Sequence, residues 1–163
     1  MLPIVCFGQK DYCTKIKKSI DEKGTTYQSP ESKYISVIKQ FKIDSFFGLH
    51  LHFNDANQHF DAVGALVEFE DGAIIKDENA KVDCKQEMTE IGGGHISTAA
   101  TTHSGEYLLQ GFFHINEVNI EKFVSKKIIR IQLDNASQKI ADKDATRIMS
   151  YIQCLRGRGV IAR

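Results

Sequence analysis

The chain has 163 residues, 42% of them hydrophobic and 26% charged, with lysine plus arginine balanced by aspartate plus glutamate at 21 each. That length can build one domain with a sizeable core, without metal staples. A zero formal charge argues against a nucleic-acid partner, whose binding rests on clustered cations neutralising phosphates. No apolar run approaches the roughly 18 residues that suggest a transmembrane segment.

In chain order, Met1 to Gly8 is apolar and the sequence turns polar at Gln9-Lys10-Asp11. Cys6 and Gly8 are spaced as the −3 and −1 positions of a secretory cleavage site, which places the cut before Gln9. Residues 1–8 therefore read as the remnant of a signal peptide, and the protein as exported, periplasmic or secreted. The competing reading is an edge strand from Leu2 to Phe7. From Asp11 to Pro30 the chain is polar, with a turn expected around Gly24.

Ser32 to Lys39 alternates as a strand. Phe46 to Phe53 alternates more cleanly, with Phe47, Leu49, Leu51 and Phe53 on one face and Phe46, Gly48, His50 and His52 on the other. That pattern predicts a half-buried strand of an antiparallel sheet. A hairpin follows over Ala62 to Lys76, with Asp71-Gly72 as its turn, because glycine takes positive φ freely. Ala80 to Lys85 reads as another short strand. Gln86 to Gly105 is the least regular stretch, an edge strand or a long loop.

Glu106 to Ile115 is again strand-like. Asn116 is a candidate N-cap for a short helix near 117–125, with Ile120, Phe123 and Val124 as its apolar stripe. Lys127 to Leu133 reads as a strand, and Gln138 to Ile140 as its partner. Asp142 is the expected cap of a helix near 142–155, lined by Ala145, Ile148, Ile152 and Leu155. Strands first and helices late predict a mainly β (α+β) fold, an antiparallel sheet or sandwich. The organisation expected is one β-rich domain over 9–155 and a flexible tail over 156–163.

Several of these stretches together resemble a group of small exported, signal-peptide-bearing β-rich proteins of Bacteroidetes and Flavobacteria. They are Ser29-Pro30, Ile35 to Lys39, the Phe69-Glu-Asp-Gly72 hairpin with Lys81-Val-Asp83, Lys126 to Ile131, and the closing Tyr151 to Leu155. The resemblance implies export and a β-rich fold and carries over no catalytic residues. It also implies a disulfide between Cys13 and Cys154. The residues themselves leave the pairing open: with Cys6 cleaved away, Cys13, Cys84 and Cys154 remain, and three thiols leave one unpaired or all three reduced.

The sharpest site candidate is His50-Leu-His52. Residues two apart on a strand project to one face, a spacing suited to two imidazole ligands of a metal. A third ligand from His59, His95, His103 or His114 would have to come from the fold, and the competing reading is a polar strand face. Cys84 lacks a catalytic signature around it. Gly92-Gly-Gly-His95 lacks the Gly-Lys-Ser/Thr ending of a phosphate loop. The acidic run from Glu68 to Asp83 lacks the ligand order of a calcium loop, and Arg156 with Arg158 is too sparse for a polyanion site.

No catalytic set stands out, so the sequence points to a non-enzymatic exported protein without a cofactor. Its partner would be a protein or small molecule, in a binding or envelope-associated role. The alternative is a metal-binding protein or metal-dependent enzyme centred on His50 and His52.

Overall fold

The computed structural model describes residues 9–90 and 101–158. The expected signal-peptide remnant, the Gly92 to His95 loop and residues 159–163 of the expected tail lie outside the described residues, as does the side chain of His103. Nine antiparallel strands form one sheet in the order β1-β2-β3-β4-β7-β6-β5-β8-β9. They are β1 (Lys17–Asp21), β2 (Gly24–Gln28), β3 (Ile35–Lys42), β4 (Phe46–Asp55), β5 (Val63–Phe69), β6 (Ile74–Glu90), β7 (Thr101–His114), β8 (Ile128–Leu133) and β9 (Ala136–Lys139). Among the described residues three helices accompany them: α1 (Gln9–Thr14), α2 (Ile120–Ser125) and α3 (Asp142–Arg156).

The β-rich antiparallel fold is thus as the alternation predicts. Leu49, Leu51 and Phe53 of β4 are buried, while His50 and His52 lie on the opposite face. The polar segment before Pro30, which has no apolar period to mark it, forms α1 and the β1–β2 hairpin. Ala80 to Lys85 is not a separate strand. It continues β6, a 17-residue strand that pairs with β5 near its start and with β7 from Val82 onward. The stretch read as edge strand or loop is strand at both flanks, with Met88 to Glu90 paired to Thr101 to His103.

One face of the sheet carries the core and curls around α3. That helix packs on both β3 and β8, although β4, β7, β6 and β5 lie between them in the sheet. The curl is tight: a Cβ on Gly111 of β7 would come 2.7 Å from Leu133 Cδ2 of β8. Ala145, Ile148, Ile152 and Leu155 form the buried stripe of α3. Phe123 of α2 fills the remaining space against Phe69 and Phe113, with ring centroids 5.1 and 5.8 Å away. Burying a side chain of that kind stabilises the fold by about 1.5–3 kcal/mol.

The helix starts correct two expectations. Asp142 is the first residue of α3 rather than its cap, which is Ala141. Its carboxylate instead accepts from Lys127 Nζ at 2.9 Å, and an anion in the first turn complements the helix dipole. Asn116 does not cap α2 directly. Its Oδ1 accepts the Val118 and Asn119 N–H groups in a preceding turn, and Asn119 occupies the cap position. Arg158, just past the end of α3, bonds to two other parts of the chain. Its guanidinium donates to the Cys13 carbonyl at 3.1 Å, and its own carbonyl accepts from Lys39 Nζ at 2.9 Å.

Lys39 is the inner-face cation responsible for that anchoring. Its Nζ also donates to the carbonyls of Leu155 at 2.8 Å and Arg156 at 3.1 Å, satisfying acceptors that the end of α3 leaves open. Burial lowers its pKa from the ordinary lysine value. Nearby, Cys13 of α1 and Cys154 of α3 are brought to disulfide-bonding distance, with Cα atoms 5.5 Å apart. Cys84 is the free cysteine among the described residues.

Candidate functional site

The face of the sheet turned away from α3 carries the chemistry-bearing side chains, and a bulge gives it relief. Ala65 of β5 pairs with Asp77 of β6, but Val63 pairs with Lys81, so Glu78 to Ala80 bulge between the two registers. Bulges of this kind bend a strand and re-aim its side chains. A cleft of about 630 Å³ opens beside this one, lined by Asp77, Asn79, Ala80 and Lys81 on one side and Phe46, Phe112 and His114 on the other.

The aromatic wall follows from strand register. His50 pairs with Phe112 and Gly48 with His114 across β4 and β7, so all four side-chain positions share the outer face. Phe112 stands edge-on to Phe46, with centroids 5.2 Å apart, and to His114 at 4.8 Å. Gly48 makes the room. A Cβ there would meet the Phe112 ring at 2.6 Å and the Phe113 carbonyl oxygen at 2.2 Å. The polar side is anchored by Asp77, whose Oδ1 accepts from Asn79 N–H at 3.3 Å and whose Oδ2 lies 3.4 Å from His114 Nδ1. An apolar floor with a few convergent polar groups is the usual make-up of a small-ligand site.

His50 and His52 do share one face, their rings stacked with centroids 5.5 Å apart. His52 Nε2 is engaged by Glu31 Oε1, and His52 Nδ1 is buried without a hydrogen-bond partner among the described residues. Burial lowers the His50 pKa, and the neighbouring His52 lowers it further, against a smaller raising effect from Glu31. Among the described residues, no group of three or more His, Cys, Asp or Glu side chains is arranged to hold a metal ion.

Each described candidate for a third ligand is engaged elsewhere. His114 faces Asp77, and His59 lies in a separate cluster. There His59 Nδ1 is 2.7 Å from Asp134 Oδ2, and its Nε2 is 2.7 Å from Asp55 Oδ2. The His59 side chain is 3% exposed. Its pKa is raised, first by the bond to Asp134 and, against the cost of burial, also by that to Asp55. Asp55 is lowered, chiefly by the bond to His59. The cluster ties the end of β4 to the β8–β9 turn, where Asp134 takes φ +53°.

From the sequence, His59 is only a possible third metal ligand, because nothing local marks residues 55 and 134 as its neighbours. Cys84 sits beside it, but the Sγ accepts the His59 main-chain N–H at 3.5 Å. Both ring nitrogens are taken by carboxylates, so this pair lacks the thiol–imidazole bond of a cysteine nucleophile. The acidic residues of the hairpin are likewise paired: Glu68 with Arg130 at 2.5 Å and Asp71 with Lys122 at 2.6 Å. The sequence marks none of Phe46, Phe112 and Lys81 as a site residue, and Asp77 only as a member of the acidic run between Glu68 and Asp83. A single phenylalanine on a polar strand face was the available signal. Compared with known proteins, the chain matches no family model, no curated protein and no solved structure.

Proposed function

We propose that the protein is an exported, non-enzymatic binding domain, related to the small β-rich Bacteroidetes proteins it resembles, that seats a small ligand in the outer-face cleft. The observation that carries this reading is the aromatic wall of Phe46 and Phe112 opposite Asp77, Asn79 and Lys81. Such a wall accepts a flat apolar face, and the rim meets hydroxyl or amine groups; a saccharide or an aromatic amine has both. Export is supported by the signal-like first residues and by cysteines at bonding distance, since disulfides persist in oxidising compartments.

Amide chemical-shift mapping with a panel of mono- and disaccharides and aromatic amines tests the binding claim. Shifts should concentrate at residues 46–48, 77–81 and 112–114 and disappear in Phe112→Ala. Scattered shifts, or shifts indifferent to that substitution, would overturn it. Export is tested separately by expressing the gene with its native upstream sequence: intact Met1 on cytoplasmic protein would sink that part.

A second reading, a metal-binding site centred on His50 and His52, is favoured by His52 Nδ1, which is buried and has no hydrogen-bond partner among the described residues. Elemental analysis of purified protein decides it. Stoichiometric zinc that vanishes in a His50→Ala/His52→Ala variant would displace the small-ligand proposal.

A further inference from the structure

Among the described residues, the sheet ends at β1 on one side and β9 on the other. All residues of β1, Lys17–Asp21, are exposed, Ile20 to 72%. An edge strand presents backbone groups that its single neighbour does not use, and the registers identify which they are. Ser29 N–H donates to the Val37 carbonyl of β3. Backbone direction alternates along a strand, so Thr25 and Tyr27 also turn to β3, while Gly24, Thr26 and Gln28 turn to β1. The last three pair with Asp21, Ser19 and Lys17. The N–H and C=O groups of Lys18 and Ile20 therefore point away from the sheet.

We infer that β1 is a self-pairing edge onto which a second copy of this chain adds antiparallel, with the two Ser19 residues facing each other. In that register Lys18 lies opposite Ile20 of the second copy, so the outward backbone groups meet. Lys17 lies opposite Asp21, and two-fold symmetry makes that opposite-charge contact twice. Asp21 is held at the strand end by accepting the Lys23 N–H at 2.8 Å. The two Ile20 side chains become diagonal neighbours, within reach of one another.

Competing registers that also match backbone direction are poorer. Centring on Lys18 sets the two Lys18 residues against each other, and centring on Ile20 shortens the ladder. A ladder of this length covers far less than the roughly 1,200–2,000 Å² of a stable interface. The dimer is therefore weak and concentration-dependent. Because the pairing is isologous, it closes at two copies.

Sedimentation velocity of the disulfide-intact chain over a concentration series tests this. Wild-type protein should shift from monomer to dimer with concentration. Lys17→Asp and Asp21→Lys each set like charges opposite one another, and each should weaken dimerisation roughly tenfold. An equimolar mixture of the two variants restores both opposite-charge contacts and should recover dimer. Ile20→Pro removes an outward N–H without touching the β1–β2 ladder, and should abolish dimer with the far-UV spectrum unchanged. A monomer at every concentration would overturn the proposal. So would a dimer that survives Ile20→Pro, or charge variants whose loss is not recovered on mixing.

Discussion

His59 shows how one side chain can tie distant parts of the chain together. Its ring is buried, and both nitrogens face carboxylates that are 4 residues (Asp55) and 75 residues (Asp134) away in sequence. Removing the ring leaves those acceptors without their donor, at a cost of about 1–3 kcal/mol. His59→Gln should lower stability by that amount, and the loss should depend on pH. Because the His59 pKa is raised, its contribution is full below the ordinary histidine value and fades as pH rises through the folded value. Because the Asp55 pKa is lowered, its contribution is present above the ordinary aspartate value and fades as pH falls through the folded value. The wild-type advantage in urea unfolding should therefore be largest between about pH 4 and 6.5. A difference that is flat across pH would show that the carboxylate pairing contributes nothing.

At the scale of elements, β4 and β7 depend on one close approach. Gly48 lies directly beneath Phe112, where any Cβ meets backbone oxygen as well as ring carbons. Gly48→Ala should destabilise the protein by about 1–3 kcal/mol and push Phe112 off the cleft wall. Thermal unfolding checks the first effect. Weakening of the Phe112 ring cross-peaks to Phe46 and His114 checks the second. The substitution thus distinguishes a cleft built by register from one in which Phe112 finds its place independently of β4. The end of α3 likewise owes its anchoring to Lys39 on another element, whose ammonium bonds to three carbonyls and lies 5.1 Å from the rings of both Phe41 and Phe47.

Over the described residues the molecule is a sheet curled on a helix, with Cys13 of α1 at disulfide-bonding distance from Cys154 of α3. Cys13 and Cys154 are 141 residues apart. In the chain-entropy account, closing a loop of that length stabilises the fold by roughly 4–5 kcal/mol before strain is subtracted. The Cys13→Ser/Cys154→Ser variant should lose a comparable amount in denaturant unfolding. The T-shaped Tyr12–Tyr151 contact and the Arg158 bond to Cys13 should loosen with it. Equal stability of oxidised and reduced protein would rule out a stabilising bond.

Much of this architecture is legible in the residues themselves. The two-residue period of Phe46 to Phe53, the Asp71-Gly72 turn and the four-position stripe of α3 each follow from local backbone geometry and from which face must leave water. Gly72 takes φ +82°, as that turn requires. The β1–β2 hairpin escaped because its strands are largely polar and leave no burial pattern. Likewise, β6 looked like two strands because its bulge interrupts the alternation. The arrangement of the outer face was also beyond reach. Alternation places Phe46, His50 and His52 on one side of β4, but it does not say that Phe112 will lie opposite His50, or that Asp77 will reach His114. Register between strands some 60 residues apart is chosen by packing of the opposite, buried face and by where Glu78 to Ala80 bulge. Local sequence thus determined the strands and their two faces. Only the tertiary structure decided which polar groups meet, because those neighbours are set by long-range burial rather than by residues nearby in the chain.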